Sequence, residues 1–316
     1  MVKKHQKDMI LGFEIGASKI IGILGDLTGN ITKKVYEKTE HGETISILIS
    51  QLWRLKNKIV SEKEYKEVRY ISITFPGIIK EGTIVYSPNL PNLANVKFLG
   101  LLESRFHKKI YLENDANSQA LAQKIFGKDH LSNFVYVTVG SGIGGAIIID
   151  DKLYKGHNGW AGELGHMVIM ADGPLCGCNR KGCVEALASG FSITRRAKEK
   201  LPDKSSILNT ISLRDLDAKA IFNAKKSRDK LATELVEETA RYIAIFIANI
   251  INIFDPEAIV MGGGVTKNNA DFIRLIREKV KAELGYYVRD VKIIKASEKL
   301  IEKAPIATVS YFKGSQ

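Results

Sequence analysis

The feature that most restricts the fold is a strand–glycine turn–strand unit that occurs twice. Met9–Ile15 and Lys19–Gly25 are β-branched runs joined by Gly16-Ala17-Ser18. About 125 residues later, Phe134–Val139 and Ala146–Ile149 flank Gly140-Ser141-Gly142-Ile143-Gly144-Gly145. The repetition predicts two related α/β halves. Around these units strands alternate with helical patterns: Ile45, Leu48, Ile49, Leu52 and Leu55 fall on one helix face, and Val68–Phe75 is a strand closed by Pro76-Gly77. Lys109–Glu113 is a strand leading into a helix over Asp115 to Phe126, and a short strand at Ala258–Met261 precedes Gly262-Gly263-Gly264. Such alternation defines an α/β protein. The exchange between halves is placed near Asn114–Asp115. That gives a small domain at 1–114, with a C-terminal helix at 304–316 as the candidate to return to it, and a larger domain at 115–303.

At 316 residues the chain is long enough for two modest domains. The charge balance is +12, from 47 Lys and Arg against 35 Asp and Glu. Half of it sits in residues 191–230, which carry a net +6 without interleaved aromatics, whereas residues 131–190 carry −1. This reads as a solvated face, with a long-range pull on a polyanion, and not as a nucleic-acid platform. The most apolar stretch, Tyr242–Phe254, is too short and too interrupted by Asn to span a membrane. With no secretory signal visible after the charged N-terminus, a cytoplasmic protein is expected.

All three cysteines lie between 176 and 183. Cys176, Cys178 and Cys183, with His166 from just upstream, supply the four ligands of a closed Cys₃His tetrahedral zinc site, structural because no further ligand is evident. The metal would fix the loop that carries Glu163 and Glu185. Each glycine cluster alone fits a tight turn, but together the three suit a site that holds a nucleotide's phosphates and ribose. None is a Lys-containing phosphate loop or a dinucleotide fingerprint. Asn114 and Asp115, at a strand-to-helix junction, suit either helix capping or a substrate site, where a carboxylate takes a proton from a hydroxyl.

These motifs resemble sugar kinases of the ROK family, within the hexokinase/actin/heat-shock ATPase superfamily, over nearly the whole chain. The resemblance implies two ribonuclease-H-like domains flanking an interdomain cleft, the actin-like ATPase fold. It implies Asp115 as catalytic base, with Asn114 beside it on the sugar and Glu163, His166 and Glu185 on other sugar hydroxyls. His166 doubles as zinc ligand. Gly16, Ala17, Ser18 and Lys19 become the first phosphate motif, headed by Glu14 where the family usually has Asp. Gly140, Ser141, Gly142 and Gly144 become the second, and Gly262, Gly263 and Gly264 the adenosine motif. Pro76-Gly77 and Asn89 complete the sugar pocket. Asn179 stands where the cysteine signature usually has glycine, and it tolerates the same left-handed backbone.

The function so implied is an ATP- and Mg²⁺-dependent hexokinase acting on the C6 hydroxyl of glucose, mannose, glucosamine or an N-acetylhexosamine. Partners are then the sugar and ATP, without nucleic acid or membrane, and a homodimer is left open. The rivals are a sugar-responsive regulator of the same family, a polyphosphate-using glucokinase and a binding module without transfer. Only about eight residues precede the first strand, too few for a helix-turn-helix, and the retained Asp115 disfavours the binding module.

Overall fold

Both repeats seen in the sequence become antiparallel hairpins at the centre of a five-stranded sheet. The computed structural model describes residues 8–16, 18–40, 44–87, 93–267, 269–287 and 289–314. In the N-terminal part the elements are β1 (Met9–Ile15), β2 (Lys19–Asp26), β3 (Ile31–Lys38), α1 (Ile45–Ile59), α2 (Glu62–Glu67), β4 (Val68–Phe75), β5 (Ile78–Lys80), β6 (Thr83–Tyr86), α3 (Phe98–Phe106), β7 (Lys109–Asn114) and α4 (Asp115–Phe126). There follow β8 (Phe134–Val139), β9 (Ile143–Ile149), β10 (Lys152–Leu153), α5 (Val184–Ala188), α6 (Gly190–Lys200), α7 (Ala218–Lys226) and α8 (Lys230–Phe254). Last come β11 (Ala258–Gly262), α9 (Gly264–Lys267), α10 (Ala270–Leu284), β12 (Lys292–Lys295), α11 (Glu298–Ile301) and α12 (Ala304–Gly314).

The first sheet has the order β3-β2-β1-β4-β7 and the second β10-β9-β8-β11-β12. Position for position the two are alike. A hairpin (β1–β2, β8–β9) carries a third antiparallel strand on one side, and two parallel strands on the other. This is the duplication that the glycine hairpins signalled.

The chain divides into two units, one of Met1–His130, Lys155–Trp160 and Ser297–Gln316, the other of Leu131–Tyr154 and Ala161–Ala296. The exchange therefore lies after α4 and not at 114/115. The reason is packing: α4 buries Ala116, Ala120 and Leu121, and α12 lies against it, with Thr308 donating to Ser118 at 3.0 Å. A helix begun at a domain boundary has no composition change to show which side it joins. The first unit also takes back the short stretch Lys155–Trp160, which nothing in the composition announces.

Each unit has its own core. In the first, Phe13, Ile71, Ile73 and Phe75 of the central strands meet Leu48, Leu52 and Leu55 of α1 and Phe98 and Leu102 of α3. In the second, α8 presents Leu235, Ile243, Phe246, Ile247, Ile250 and Ile251 to the sheet and to α10. Asp229 caps its start, accepting from the Ala232 N–H at 2.8 Å. The apolar run Tyr242–Phe254 is thus the buried half of a core helix. Among the described residues no helix is long and apolar enough to cross a membrane.

One feature of β4 conflicts with its setting. Ser72 and Thr74 are fully buried, and their hydroxyls have no hydrogen-bond partner among the described residues. An unpaired buried hydroxyl costs about 1–3 kcal/mol. Thr74→Val keeps the shape and suits a strand. It should raise stability to urea by about 1 kcal/mol, whereas a lower midpoint would show the hydroxyl to be satisfied.

Candidate active site

In the first unit β7 passes into α4 without a loop: Asn114 ends the strand and Asp115 opens the helix. The Asn114 carboxamide is occupied at both ends. Its oxygen caps α4 by accepting from the Asn117 N–H at 3.1 Å, and its Nδ2 donates to the Gly77 carbonyl at 3.1 Å. Asn114 thus fills the capping role, and Asp115 follows it as the first residue of the helix. The half-buried Asp115 carboxylate accepts from the Ala116 N–H at 2.9 Å, and the start of a helix favours negative charge.

Glu14, at the end of β1, shares this carboxylate neighbourhood. Desolvation pushes it up to about 7, with the charge of Asp115 as the second cause and Lys19 opposing both. Gln119 of α4 reaches its Oε1 at 3.5 Å. Two acidic groups in a partly dry site are a donor set that suits a divalent cation, which relieves the repulsion raising Glu14. The turn after Glu14 is closed by Gly16 N–H donating to the Lys19 carbonyl at 2.9 Å. Thr39, which sequence reading passed over, braces it from β3's far end: its hydroxyl donates to Gly16 O at 2.7 Å and its N–H to Ser18 O at 3.0 Å. Ala17 and Asn89 lie outside the described residues.

In the second unit the ligand atoms of His166, Cys176, Cys178 and Cys183 all lie within 4.8 Å of one another. His166 Nδ1 is 3.6 Å from Cys176 Sγ, and Cys178 Sγ is 3.6 Å from Cys183 Sγ. The edge of a tetrahedron with metal–sulfur bonds of 2.3 Å is about 3.8 Å, close to both separations, and the four residues could hold a metal ion. Asn179 turns the loop with φ 63°, the left-handed conformation its replacement of glycine requires. With Nδ1 turned to the cysteines, His166 keeps Nε2 for other work, 3.9 Å from Glu163. Burial raises the Glu163 carboxyl against the pull of His166, and Glu185 adds to the rise.

Glu185 itself, in the first turn of α5, has an occupation that sequence reading did not supply. Its Oε2 accepts from the Ile143 N–H at 2.9 Å, across the second glycine turn. A Cβ on Gly142 would come within 2.4 Å of that oxygen. Gly142 is thus needed by Glu185. Gly144 lies within β9, paired with Thr138, because the return strand starts at Ile143 and not at Ala146. At the third cluster, a Cβ on Gly262 would strike the Tyr136 hydroxyl, and Gly263 has φ 94° against the Val139 backbone. Gly142, Gly262 and Gly263 thus answer to packing and turn geometry.

The remaining members, Gly140, Ser141 and Gly264, line a cavity of about 700 Å³. A Cβ on Gly140 or Gly264 would meet nothing closer than 4.0 Å, so both present bare backbone to open space. Phe191, at the start of α6 and 72% exposed, and Phe222 of α7 give the cavity apolar walls. Lys198, Lys219 and Lys226 stand around it and come from the strongly basic segment of the sequence. Bare glycine backbone, aromatic walls and lysines suit a planar base with an anionic tail, in a cavity of ordinary ligand size.

The sequence model of the ROK family matches residues 10–306. The chain is 34% identical over 283 residues to a glucokinase of Thermotoga maritima, covering 86% of each. It is 29% identical over 312 residues to a xylose repressor of Caldicellulosiruptor bescii, 95% of this chain and 77% of that protein. Among solved structures, a ROK family glucokinase from Streptomyces griseus in complex with glucose and AMPPNP superposes with a TM-score of 0.82 at 26% identity, covering 96% of this chain and 98% of that one.

The raised Glu14 carboxyl has a consequence for the metal-free protein. Its folded pKa, about 7, exceeds its ordinary value of 4.5, so ionising it costs stability as pH rises from about 4.5 to 7. Glu14→Gln escapes this cost. The variant should be more stable than wild type at pH 8 by about 1–3 kcal/mol and no more stable near pH 4.5, as measured by denaturation in EDTA. An equal difference at both pH values would contradict the assignment.

Proposed function

Because the chain belongs to the ROK family of the actin-like ATPase superfamily, we propose that it is an ATP-dependent sugar kinase that phosphorylates the primary C6 hydroxyl of a hexose or hexosamine. The observation that carries this reading is the loop-free β7–α4 junction, which sets Asp115 at a helix start with its neighbours already hydrogen-bonded. Asp115 accepts the proton of the attacking hydroxyl as the new O–P bond forms; the bond from the γ-phosphorus to the β,γ-bridging oxygen breaks, and ADP leaves. Glu163 and Nε2 of His166 serve the other hydroxyls of the sugar. Glu185 works mainly through the glycine turn it braces. The cavity at Gly140, Ser141 and Gly264 takes the nucleotide, with Phe191 against the base. Magnesium, held near Glu14 and Asp115, would neutralise the charge that develops on the phosphates.

A sugar-responsive regulator is the second reading, favoured by the likeness to a xylose repressor. Turnover separates the two. Wild type should release ADP in proportion to added hexose, and Asp115→Asn should lose roughly 10²–10⁴-fold in kcat, a positioned base's usual share. Calorimetric binding of sugar and nucleotide should survive in that variant. Near-wild-type turnover by Asp115→Asn would falsify the base assignment, and a salt-dependent gel shift without turnover would favour the regulator.

The Cys₃His cluster we assign to a structural zinc, since three thiolates and an imidazole suit that ion. Elemental analysis should find one zinc per chain. Stripping it should lower the melting temperature and melt the 166–185 loop first, seen as early proteolysis there; full stability and no metal would reject the site.

A further inference from the structure

Beside the proposed base lies a buried charge that the mechanism does not use. Glu113, the residue before the β7–α4 junction, is 2% exposed, yet its carboxylate makes three contacts. Oε1 accepts from the Asn114 N–H at 2.8 Å and from Asn117 Nδ2 at 2.9 Å. Oε2 meets Lys155 Nζ at 2.9 Å. Lys155 opens the short stretch Lys155–Trp160 that joins the first unit, where its ammonium also lies 5.8 Å from the Phe312 ring centroid of α12. Asn158 of the same stretch accepts from Lys80 Nζ at 3.3 Å.

We propose that Glu113 and Lys155 form a positioning pair that fixes Asp115, an inference that rests on the reading of Asp115 as the base. One oxygen of Glu113 holds the residue before Asp115 by its backbone and the residue two after it by its side chain. The Asn114 carboxamide then closes the same turn onto the Asn117 N–H. Asp115 is thereby held from both sides through hydrogen bonds that converge on a single buried acceptor. An apolar residue at 113 would fill the space at lower desolvation cost but leave the Asn114 N–H and the Asn117 amide without that acceptor. The carboxylate in turn requires a cation, because a buried charge without a partner is unfavourable. Lys155 is that cation, the single Lys or Arg in Lys155–Trp160, a stretch without Asp or Glu.

Misplacing a reacting group by about an ångström costs up to about 10²-fold in rate. Lys155→Met should therefore lower kcat about 10–100-fold, while KM for sugar and for ATP stays within about threefold, because no substrate-binding group is removed. The Glu113→Gln change keeps an acceptor oxygen for Asn114 and Asn117 and needs no counter-charge. The double variant Lys155→Met/Glu113→Gln should accordingly recover kcat to within about threefold of wild type. A role in general stability alone predicts no such recovery of kcat at equal folded fraction, which thermal melts would monitor. Wild-type kcat in Lys155→Met, or a double variant no faster than Lys155→Met, overturns the pairing. If Lys155→Met does not fold, an active, folded double variant still supports it and an inactive one rejects it. Asp115→Asn run alongside separates the two levels: activity there removes the base itself, whereas its inactivity together with an unaffected Lys155→Met removes only the pair.

Discussion

A strand that turns into a helix with no intervening loop must satisfy its own end groups within two or three residues, and the β7–α4 junction meets that demand with side chains. The Glu113 carboxylate, the Asn114 carboxamide and the Asn117 amide account for one another, for a strand-end N–H and for a helix-start N–H. Asp115, the other acidic group of this run, accepts from the Ala116 N–H at the helix start. The rest of the first unit serves this arrangement. β4 sets the register of β7, pairing Thr74 with Glu113 and Phe75 with Asn114, and α12 packs beside α4. Gly77, just beyond β4, receives the remaining arm of Asn114.

The second unit solves a different problem, that of keeping long irregular segments in place. Residues 161–183 form little regular structure, and a Cys₃His cluster gathers them at one point. From that point the effect passes to Glu185, two residues beyond Cys183, and from its carboxylate to the Ile143 N–H at the second glycine turn. The turn that heads the cavity at Gly140 and Ser141 is thus connected, through one side chain, to the ligand loop. Across the turn, the Gly140 and Ser141 carbonyls accept from the N–H groups of Gly190 and Phe191. A change in the cysteine loop has a short physical route to the cavity floor.

Much of this was legible in the sequence. The duplicated hairpins foretold two sheets of like topology, because β-branched runs around a glycine turn leave few alternatives. The strands Val68–Phe75 and Phe134–Val139 and the helix Asp115–Phe126 have the expected bounds. The clustered cysteines pointed to His166, whose ring lies within 4.8 Å of their sulfurs. What was not legible depends on tertiary contacts. Gly142, Gly262 and Gly263 read as part of a phosphate cradle, but glycine is equally demanded where Glu185, Tyr136 or a positive φ leaves no room for a Cβ. Lys155 and Thr39 carry no local signal, since a lysine or threonine at the end of a strand is ordinary until its distant partner is known. The place where the chain leaves the first unit was equally hidden, because α4 differs in composition from neither side.

As proposed, this chain moves a phosphoryl group from ATP to a sugar hydroxyl. Phosphorus NMR of the zinc-loaded wild-type protein with MgATP, recorded with each of glucose, mannose, glucosamine and N-acetylmannosamine, tests it without coupling enzymes. For at least one sugar, the γ-phosphate signal of ATP should decline as a sugar 6-phosphate signal and ADP appear in equal amounts. ATP that stays intact with every sugar, or that yields only inorganic phosphate, would contradict it.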